Sequence, residues 1–358
     1  MKVLLIRLRS IGDIVQCTPA FSAARSMFKN ASVDLMVDER FSDLVVENPS
    51  LDGFILYKNT GRSFLEKLRY DINFLFMVRK RRYDVVIDFH GIPKTAWFSY
   101  FSGAGIRVGY DYKGRGRLYT HRMKPPEKFT VHSAINQIEL LKYVPGEFVS
   151  KYNFPGRNDL STFISADLAK KECEDFRESE KISGDENIFV YHISPSNDFK
   201  KWPAQNYSAL INMIERHPAL SAMKKTHVII GTIADAEEFQ RIKSSSKPLN
   251  GSIVSACGKL SLGALYNLAG RAKCYIGPDS GPLHIAAAGV CPVIGLFGPT
   301  NAETFGPLSK NFTAVCDMDL KCRPCDQKKC RPGDFRCIKK INVRDVFDAV
   351  LKSVIKNK

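Results

Sequence analysis

The sequence predicts an α/β protein whose two parallel-sheet domains face each other across a cleft. Three observations lead to this fold class. Short apolar segments alternate with helical segments along the whole chain, which is the pattern of βαβ units. A length of 358 residues suits two domains better than one. A glycine-containing turn from a strand into a helix occurs once in each half, at residues 7–13 and again at residues 277–284.

The first half contains several predicted strands and helices. The strands are short, apolar and bounded by charged or turn residues: Val3 to Leu8, Val33 to Val37, Phe54 to Tyr57 and Asp84 to Phe89. The predicted helices are longer: Ile14 to Phe28, Phe64 to Arg82 and His132 to Tyr143. Pro19 lies inside the first of them, so that helix is expected to kink or to begin late.

The second half repeats the alternation. Its predicted strands are Ile188 to Ile193, His227 to Ile230, Ile253 to Ala256, Cys274 to Ile276 and Val293 to Phe297. Its predicted helices are Ala204 to Arg216, Ala236 to Lys243, Leu262 to Arg271 and Pro282 to Ala288. Turn-forming residues cluster between Tyr152 and Leu160, which predicts a boundary between domains of residues 1–155 and 156–358. The last helix, Val343 to Ile355, could pack on either domain.

The chain is strongly basic, with a formal net charge of +16 and a pI near 9.3. This excess favours anionic partners such as nucleic acid, acidic lipid or a phosphorylated substrate. No apolar run reaches the length of a membrane helix, and Arg7 and Arg9 interrupt the apolar start too early for an export signal. We therefore expect a cytoplasmic protein whose ten cysteines are reduced.

Motifs that the sequence lacks exclude several enzyme classes. There is no G-x-x-x-x-G-K-[ST] loop, no G-x-G-x-x-G after the first strand and no H-E-x-x-H. Ser280 lies in Gly-Pro-Asp-Ser-Gly, which is not the G-x-S-x-G turn of hydrolases. The turn that contains Ser280 instead leads a strand into a helix of small residues, so its backbone N–H groups can hold phosphate. Two α/β domains with such a turn suit a nucleotide-sugar transferase.

Four blocks in this order resemble the ADP-heptose:lipopolysaccharide heptosyltransferases, glycosyltransferase family 9: Arg7-x-x-Ser10-x-Gly12-Asp13 with Thr18-Pro19, Lys200-Lys201-Trp202-Pro203, Asp279 to His284, and Gly295 to Thr300. They span roughly residues 1 to 345. The resemblance implies the GT-B fold, with two Rossmann-like domains. It places the acceptor on the N-terminal domain and the nucleotide-sugar on the C-terminal one. It further implies inversion at the anomeric carbon and no required metal.

Asp13 matches the catalytic aspartate of the family. It follows the first strand, where ligands bind in open α/β sheets. An inverting transfer needs one carboxylate to take the proton of the acceptor hydroxyl, so we assign Asp13 as the general base. The alternative is that Asp13 is the N-cap of a helix that begins at Ile14.

Lys200 matches the family's lysine two positions before Trp-Pro. A fixed ammonium near the diphosphate would stabilise the charge that builds there as the glycosidic bond breaks. Lys201 is the alternative for this role.

The resemblance also implies a set of residues that contact the donor. They lie in the turns that follow the strands of the second half: Ser194, Ser196, Thr232, Glu237, Asp279, Ser280, Gly281, Pro282, Leu283 and His284. Asp279 corresponds to the aspartate that contacts the heptose. Asp235 competes with Glu237 for the ribose hydroxyls, and His284 is either a donor contact or a packed core residue.

Acceptor contacts are expected in the first half, because arginine recognises the carboxylates and phosphates of the lipopolysaccharide inner core. The candidates are Arg7, Arg9, Ser10, Gly12 and Arg115, with Lys113 and Arg117 beside the last. This acceptor accounts for the basic charge without nucleic acid, for which the sequence has no recognised module. The resemblance implies a peripheral enzyme on the inner face of the cytoplasmic membrane.

Four cysteines have a spacing typical of metal ligands: Cys322, Cys325, Cys330 and Cys337. A structural zinc site and reduced structural thiols are the two interpretations, and reduced thiols are favoured. The sequence therefore predicts an inverting glycosyltransferase that moves heptose from ADP-heptose to an inner-core sugar. One alternative is a GT-B transferase with another nucleotide-sugar or acceptor. The other is a non-catalytic basic binding protein.

Overall fold

The computed structural model describes residues 1–58, 63–184, 186–317 and 319–356. The chain divides into two compact units, Met1–Ser165 and Ala166–Lys358. The division lies ten residues beyond the sequence-predicted boundary. Residues 156–165 join the first unit because the Phe163 N–H donates to Thr18 Oγ1 (2.9 Å) and the Ser165 N–H donates to the Leu44 carbonyl (2.8 Å).

A six-stranded parallel sheet forms the centre of the first unit, in the order β3-β2-β1-β4-β5-β6. Its strands are β1 (Lys2–Ile6), β2 (Ser32–Asp38), β3 (Gly53–Tyr57), β4 (Val85–Asp88), β5 (Ile106–Tyr110) and β6 (His121–Met123). The first four match predicted strands. The last two have no apolar run, because β5 contains Arg107 and β6 has only three residues, two of them His121 and Arg122.

The helices of the first unit are α1 (Ile11–Met27), α2 (Phe64–Lys80), α3 (Pro93–Phe101) and α4 (Ser133–Leu141). Helix α1 begins three residues earlier than predicted and continues through Pro19. Pro19 has no N–H for the Val15 carbonyl, and the Thr18 hydroxyl donates to that carbonyl instead (2.7 Å). The expected late start of this helix is therefore wrong.

The second unit contains another six-stranded parallel sheet, in the order β12-β11-β10-β7-β8-β9. Its strands are β7 (Asn187–His192), β8 (Lys225–Ile230), β9 (Gly251–Ser255), β10 (Cys274–Pro278), β11 (Val293–Leu296) and β12 (Phe312–Val315). Its helices are α5 (Lys170–Ser179), α6 (Ala204–Arg216), α7 (Pro218–Ser221), α8 (Ala236–Ser245), α9 (Leu262–Gly270), α10 (Gly281–Ala287), α11 (Ala302–Phe305), α12 (Arg336–Lys339) and α13 (Val343–Lys356).

Helix α13 packs within the second unit. Val346, Phe347 and Val350 are buried in the core that α6 and the sheet share. Just before α13, the Ile341 carbonyl accepts a hydrogen bond from the indole N–H of Trp202 (3.2 Å). The Trp-Pro pair after Lys200 and Lys201 is thus fixed to the start of the last helix.

Both sheets have the doubly wound order, in which the first strand of the unit lies beside the fourth. The order reverses between β1 and β4 in the first unit, and between β7 and β10 in the second. Ligands of open α/β sheets bind at the carboxyl ends of the strands at this point. The α/β fold class and the pair of parallel sheets are confirmed. Across the described ranges, no helix has both the length and the apolar character that crossing a bilayer demands.

Candidate active site

Asp13 lies in the first turn of α1, directly after β1. Its Oδ1 is 2.8 Å from Nη2 of Arg7, and its Oδ2 accepts from the backbone N–H and hydroxyl of Ser10 (3.2 and 3.1 Å). Ser10 is the N-cap and Asp13 is the third helical residue, so the interpretation of Asp13 as the N-cap itself is wrong. Asp13 does contribute to the cap, because its carboxylate forms one half of a capping box.

The contacts of Asp13 determine its charge. Burial alone would raise the pKa of this carboxyl, but the Arg7 guanidinium and the hydrogen bonds from Ser10 outweigh it, and the pKa is lowered. Asp13 is therefore ionised at neutral pH. Its side chain is still 44 % exposed, so the carboxylate can be reached by another molecule.

At the end of β4, Asp88 and His90 stand beside this turn. Asp88 is fully buried, and its carboxylate accepts from the N–H groups of His90 and Gly91 (2.9 and 3.0 Å) and from the Tyr119 hydroxyl (2.7 Å). These bonds fix the backbone that presents the His90 ring. Burial and the positive charge of Arg7 lower the pKa of His90 to about 3, so the imidazole is neutral.

A cavity of about 340 Å³ opens beside Arg7 and His90. It is lined by Arg7, Phe89, His90, Gly91, Ile92, Tyr110, Tyr112, Arg115, Pro125, Ser133, Asn136 and Gln137. Five buried polar atoms of these residues have no hydrogen-bond partner within the described part of the chain: Arg7 Nε, His90 Nδ1, Arg115 Nε, Asn136 Oδ1 and Gln137 Oε1. Because buried polar groups are normally paired, this wall suits a polar ligand.

The cavity unites two of the predicted acceptor contacts, Arg7 and Arg115, from positions far apart in the sequence. The Arg115 guanidinium lies over the Tyr112 ring, 5.0 Å from its centroid. Arg9 and Ser10 are exposed and Gly12 is buried within α1, and these three are not among the lining residues. The sequence therefore predicted that the cavity wall is positively charged, but it identified only some of the residues that line it.

In the second unit, Lys200 and Asp279 form an ion pair. Lys200 ends a short 3-10 turn, Asp198–Lys200, and Asp279 follows β10. Lys200 Nζ is 2.8 Å from Asp279 Oδ2, and His284 Nε2 lies 3.9 Å from the other carboxylate oxygen. Lys201 points elsewhere, because its Nζ is 3.7 Å from Glu238 Oε1 on α8. The structure thus separates the two lysines between which the sequence left a choice.

The turn after β10 is packed closely against β7. A Cβ on Gly277 would lie 2.8 Å from the Cβ of His192, so glycine is required there for the approach of the two strands. Ser280, the N-cap of α10, has its hydroxyl 3.1 Å from His192 Nδ1. Gly281 begins the helix and Pro282 is its second residue, one position later than expected, while the Leu283 side chain is fully buried.

The turn after β8 contains the candidates for the ribose. Asp235 accepts from the backbone N–H of Thr232 (2.8 Å), and it also forms a hydrogen bond with the Ser194 side chain. Burial would raise the pKa of Asp235, but these bonds lower it. Glu237 is 80 % exposed and pairs with Arg241 (2.6 Å). Only Asp235 of these two carboxylates therefore joins the network that contains Ser194. Ser196 is exposed.

The profile of the family described as "Glycosyltransferase family 9 (heptosyltransferase)" matches residues 74–335. The chain belongs to glycosyltransferase family 9. The resemblance found in the sequence is confirmed, and the protein is a glycosyltransferase by family. The matched range includes Lys200, Asp279 and the residues around them, whereas Asp13 precedes it.

Relatives of this family 9 glycosyltransferase cover nearly its whole length. Lipopolysaccharide heptosyltransferase 1 of Campylobacter coli is 22 % identical, over 98 % of both chains. A family 9 glycosyltransferase structure from Veillonella parvula is similar with a TM-score of 0.80 and 21 % identity, over 99 % of this chain and 97 % of that one. The ADP-heptose heptosyltransferase II structure from Escherichia coli has a TM-score of 0.77 and 16 % identity, over 100 % and 99 %. The expected GT-B fold is confirmed.

The four cysteines of the family 9 enzyme lie between β12 and α13. Cys337 is buried, and this burial raises the pKa of its thiol to about 11, with the other three cysteines as neighbours. Within the described ranges, no group of three or more His, Cys, Asp or Glu side chains is arranged to hold a metal ion. The described geometry therefore gives no support to the zinc interpretation.

The cysteine segment, residues 322–337, contacts two turns, the Lys200 turn and the turn that follows β11. The centroids of the Phe335 and Phe199 rings are 4.9 Å apart, and the rings meet edge to face. Arg323 donates to the carbonyls of Gly298 and Thr300 (2.8 and 2.9 Å), which lie in the fourth block of the resemblance. The segment therefore supports the backbone next to Lys200, a role that its cysteine spacing does not indicate.

Proposed function

We propose that this family 9 glycosyltransferase transfers a heptose from ADP-heptose to an anionic inner-core sugar of lipopolysaccharide, with inversion. The observation that carries the proposal is the polar cavity lined by Arg7, the residue that forms an ion pair with Asp13. Its two arginines suit a carboxylate or phosphate, and its unpaired amide oxygens suit sugar hydroxyls. Relatives named as lipopolysaccharide heptosyltransferases support the choice of donor and acceptor.

Asp13 is the general base of this proposal. The acceptor oxygen forms a bond to the anomeric carbon, its proton moves to the Asp13 carboxylate, and the bond from the anomeric carbon to the ADP oxygen breaks. ADP leaves with the electron pair of that bond. The lowered pKa of Asp13 keeps the base ionised before reaction, and its exposed side allows the hydroxyl to approach. Arg7 and Ser10 hold the carboxylate in a fixed orientation.

Lys200 stabilises the charge that develops on the leaving diphosphate. Its ion pair with buried Asp279 orients the ammonium before the donor arrives, which makes the positive charge preorganised. Asp279 itself would repel a diphosphate, so we assign it to the heptose hydroxyls rather than to the phosphates. The turn residues Ser280, Gly281 and Pro282 lie beside the phosphates, with His284 behind Asp279.

The remaining donor contacts follow from the turns after β7 and β8. Asp235 is the carboxylate that we assign to the ribose hydroxyls, because Glu237 is engaged with Arg241 at an exposed position. Ser194, Ser196 and Thr232 line the path from the ribose to the diphosphate in this proposal. The backbone of Leu283 contributes rather than its buried side chain.

The enzyme requires no metal, since Lys200 supplies the positive charge for the diphosphate, and its cysteines are reduced thiols that stabilise the fold. It works in the cytoplasm, peripheral to the inner membrane, where a lipid-linked acceptor is available. Its basic charge serves this acceptor and not nucleic acid.

The proposal is tested with purified protein, ADP-heptose and truncated lipopolysaccharide acceptors. The expected product is heavier than the acceptor by one heptose unit, with release of one ADP. A product only from another nucleotide-sugar would favour the alternative transferase. Thermal unfolding tests whether the protein binds the nucleotide. ADP should raise the unfolding temperature by mass action. Stabilisation by oligonucleotide and not by ADP would support the non-catalytic basic binding protein.

A further inference from the structure

Helix α2 has large apolar side chains on its outward face. They are Phe64, Leu65, Leu68, Ile72 and Phe76, and they are between 44 % and 80 % exposed. Four of them are spaced four residues apart, so they form one stripe along the helix. Single exposed apolar residues are common in proteins, but a continuous stripe of five on one helix indicates a surface that another body covers.

The stripe is separate from the core-facing side of the same helix. Phe74 and Val78 are buried on that other side, where the Phe74 ring packs against Tyr57 and Phe98 (centroids 5.2 and 5.1 Å apart). Helix α2 is therefore apolar on two faces, although one buried face is enough to attach it to its unit. The outer stripe has no role in the described packing of the unit.

The neighbouring helix α3 presents a second apolar patch, made of three aromatic side chains. Trp97, Tyr100 and Phe101 are between 43 % and 47 % exposed. The Trp97 ring stacks on the Phe101 ring, with the ring centroids 5.6 Å apart. The two helices are linked where Arg79 Nη1 donates to the Phe101 carbonyl (3.4 Å). Tryptophan and tyrosine favour the boundary between water and the apolar part of a bilayer.

The surface is rimmed by positive charge. Residues 63–82 contain six cations and two carboxylates, a net charge of +4, and all six cations are exposed: Lys67, Arg69, Arg79, Lys80, Arg81 and Arg82. One of the two carboxylates, Asp71, is already paired with Lys94 (2.8 Å). Because a twofold-related copy would bring this charge against itself, self-association through the stripe is disfavoured. An anionic bilayer complements both the stripe and its rim.

We propose that the outer stripe of α2 and the α3 aromatic trio dock the enzyme on an anionic lipid bilayer. The apolar side chains enter the boundary between headgroups and acyl chains, and the rim of lysines and arginines binds the headgroups. The purpose of this docking rests on the proposed function, because a lipid-linked acceptor lies at such a surface. The binding itself does not depend on transfer activity.

Vesicle co-sedimentation of the full chain tests the proposal. Vesicles of phosphatidylcholine with about 30 % phosphatidylglycerol should bind the protein, whereas pure phosphatidylcholine should bind it at least about tenfold more weakly. The variant Leu65→Ser/Phe76→Ser should lose at least about tenfold in binding to the anionic vesicles. Val290→Ser, which removes an exposed apolar side chain of the second unit, is the matched control and should bind like the wild type.

Three results would overturn the docking proposal. They are wild-type protein that stays in the supernatant with anionic vesicles, undiminished binding by Leu65→Ser/Phe76→Ser, and a dimer in sedimentation velocity that this variant dissociates. The last result would assign the stripe to a second copy. Transfer to a delipidated, water-soluble acceptor is measured in parallel and should be equal in all variants. Transfer without vesicle binding refutes the docking alone, and vesicle binding without any transfer refutes the proposed function alone.

Discussion

The two strand-to-helix turns of this enzyme share one local design and differ in burial. In each, a carboxylate follows a central strand and pairs with a cation at 2.8 Å: Asp13 with Arg7, and Asp279 with Lys200. Asp13 is 44 % exposed, whereas Asp279 is 7 % exposed. The exposed Asp13 carboxylate is open to a proton from a bound hydroxyl, whereas the buried Asp279 carboxylate is held against the Lys200 ammonium and orients it. In the mechanism that we propose, a carboxylate–cation pair therefore holds a base in one unit and positions a cation in the other.

The largest effect is expected at the exposed carboxylate. Asp13→Asn should lower turnover by about 10³-fold, because the amide cannot take the hydroxyl proton. The affinity for ADP should not change. Steady-state kinetics and calorimetric ADP titration measure the two quantities.

Ser10→Ala is the matched control for Asp13→Asn. It removes the N-cap hydroxyl and should cost about 1 kcal/mol of stability, but it should lower turnover far less than Asp13→Asn, because the carboxylate and its bonds to Arg7 and the Ser10 backbone N–H remain. If Ser10→Ala and Asp13→Asn lowered turnover equally, Asp13 would act only through the cap.

Lys200 and Lys201, at the second turn, should differ in their effect on turnover. Lys200→Ala should lower turnover by about 10²-fold and weaken ADP-heptose binding, because the diphosphate loses its oriented cation. Lys201→Ala should change turnover by less than about threefold, since Lys201 faces Glu238 and not Asp279. Turnover and donor affinity of both variants are measured with the same acceptor. A larger loss in Lys201→Ala would transfer the role to that residue.

Buried neutral histidines should make the stability fall with acid. Burial lowers the pKa of His192 to about 4, so the folded form stays neutral at pH 5 while the unfolded chain is protonated below its ordinary pKa of 6.5. The contribution of neutral His192 to the free energy of unfolding is complete above pH 6.5 and is lost as the pH falls towards 4. Between pH 7 and pH 5 this amounts to about 1–2 kcal/mol, measured by denaturant unfolding.

His192→Asn tests the source of this pH dependence. The amide cannot titrate, so stability should fall less steeply between pH 7 and pH 5 than in the wild type. An unchanged slope would assign the dependence to other groups, such as His90 and His227, whose pKa values are also lowered by burial.

The smallest effect is expected at the ribose. Asp235→Asn should weaken ADP binding by about fivefold, because a charged acceptor for the hydroxyls becomes neutral. Glu237→Gln should leave the affinity unchanged, as this side chain is exposed and engaged with Arg241. Calorimetric titration with ADP compares the two variants. A weaker complex only in Glu237→Gln would reverse the assignment.

Strand periodicity predicted most of the fold. The central strands were found because they are buried on both faces and therefore continuously apolar, as Leu4, Leu5 and Ile6 show. Strands β5, β6 and β12 were missed, because Arg107 interrupts β5, β6 has only three residues and β12 has only four. The start of α1 was missed because Ser10 and Asp13 act together across one turn, and the sequence pattern suggested only one of them as the cap.

The candidate site was less accessible to sequence reasoning. Motifs identified Asp13, Lys200 and Asp279, but the ion pair between the last two joins residues 79 positions apart. His90 carries no motif of its own, and its position beside Asp13 follows only from the adjacency of β1 and β4. The choice of Asp235 over Glu237 depends on the direction of two neighbouring side chains, which composition and spacing do not determine.

The anomeric configuration of the product tests the central claim most directly. A single displacement assisted by Asp13, with no enzyme nucleophile, must reverse the configuration at the anomeric carbon of the heptose. Nuclear magnetic resonance of the disaccharide linkage formed from ADP-heptose and a delipidated inner-core acceptor should therefore show the configuration opposite to that of the donor. A product with the donor's own configuration would contradict the assignment of Asp13 as a base in a single displacement.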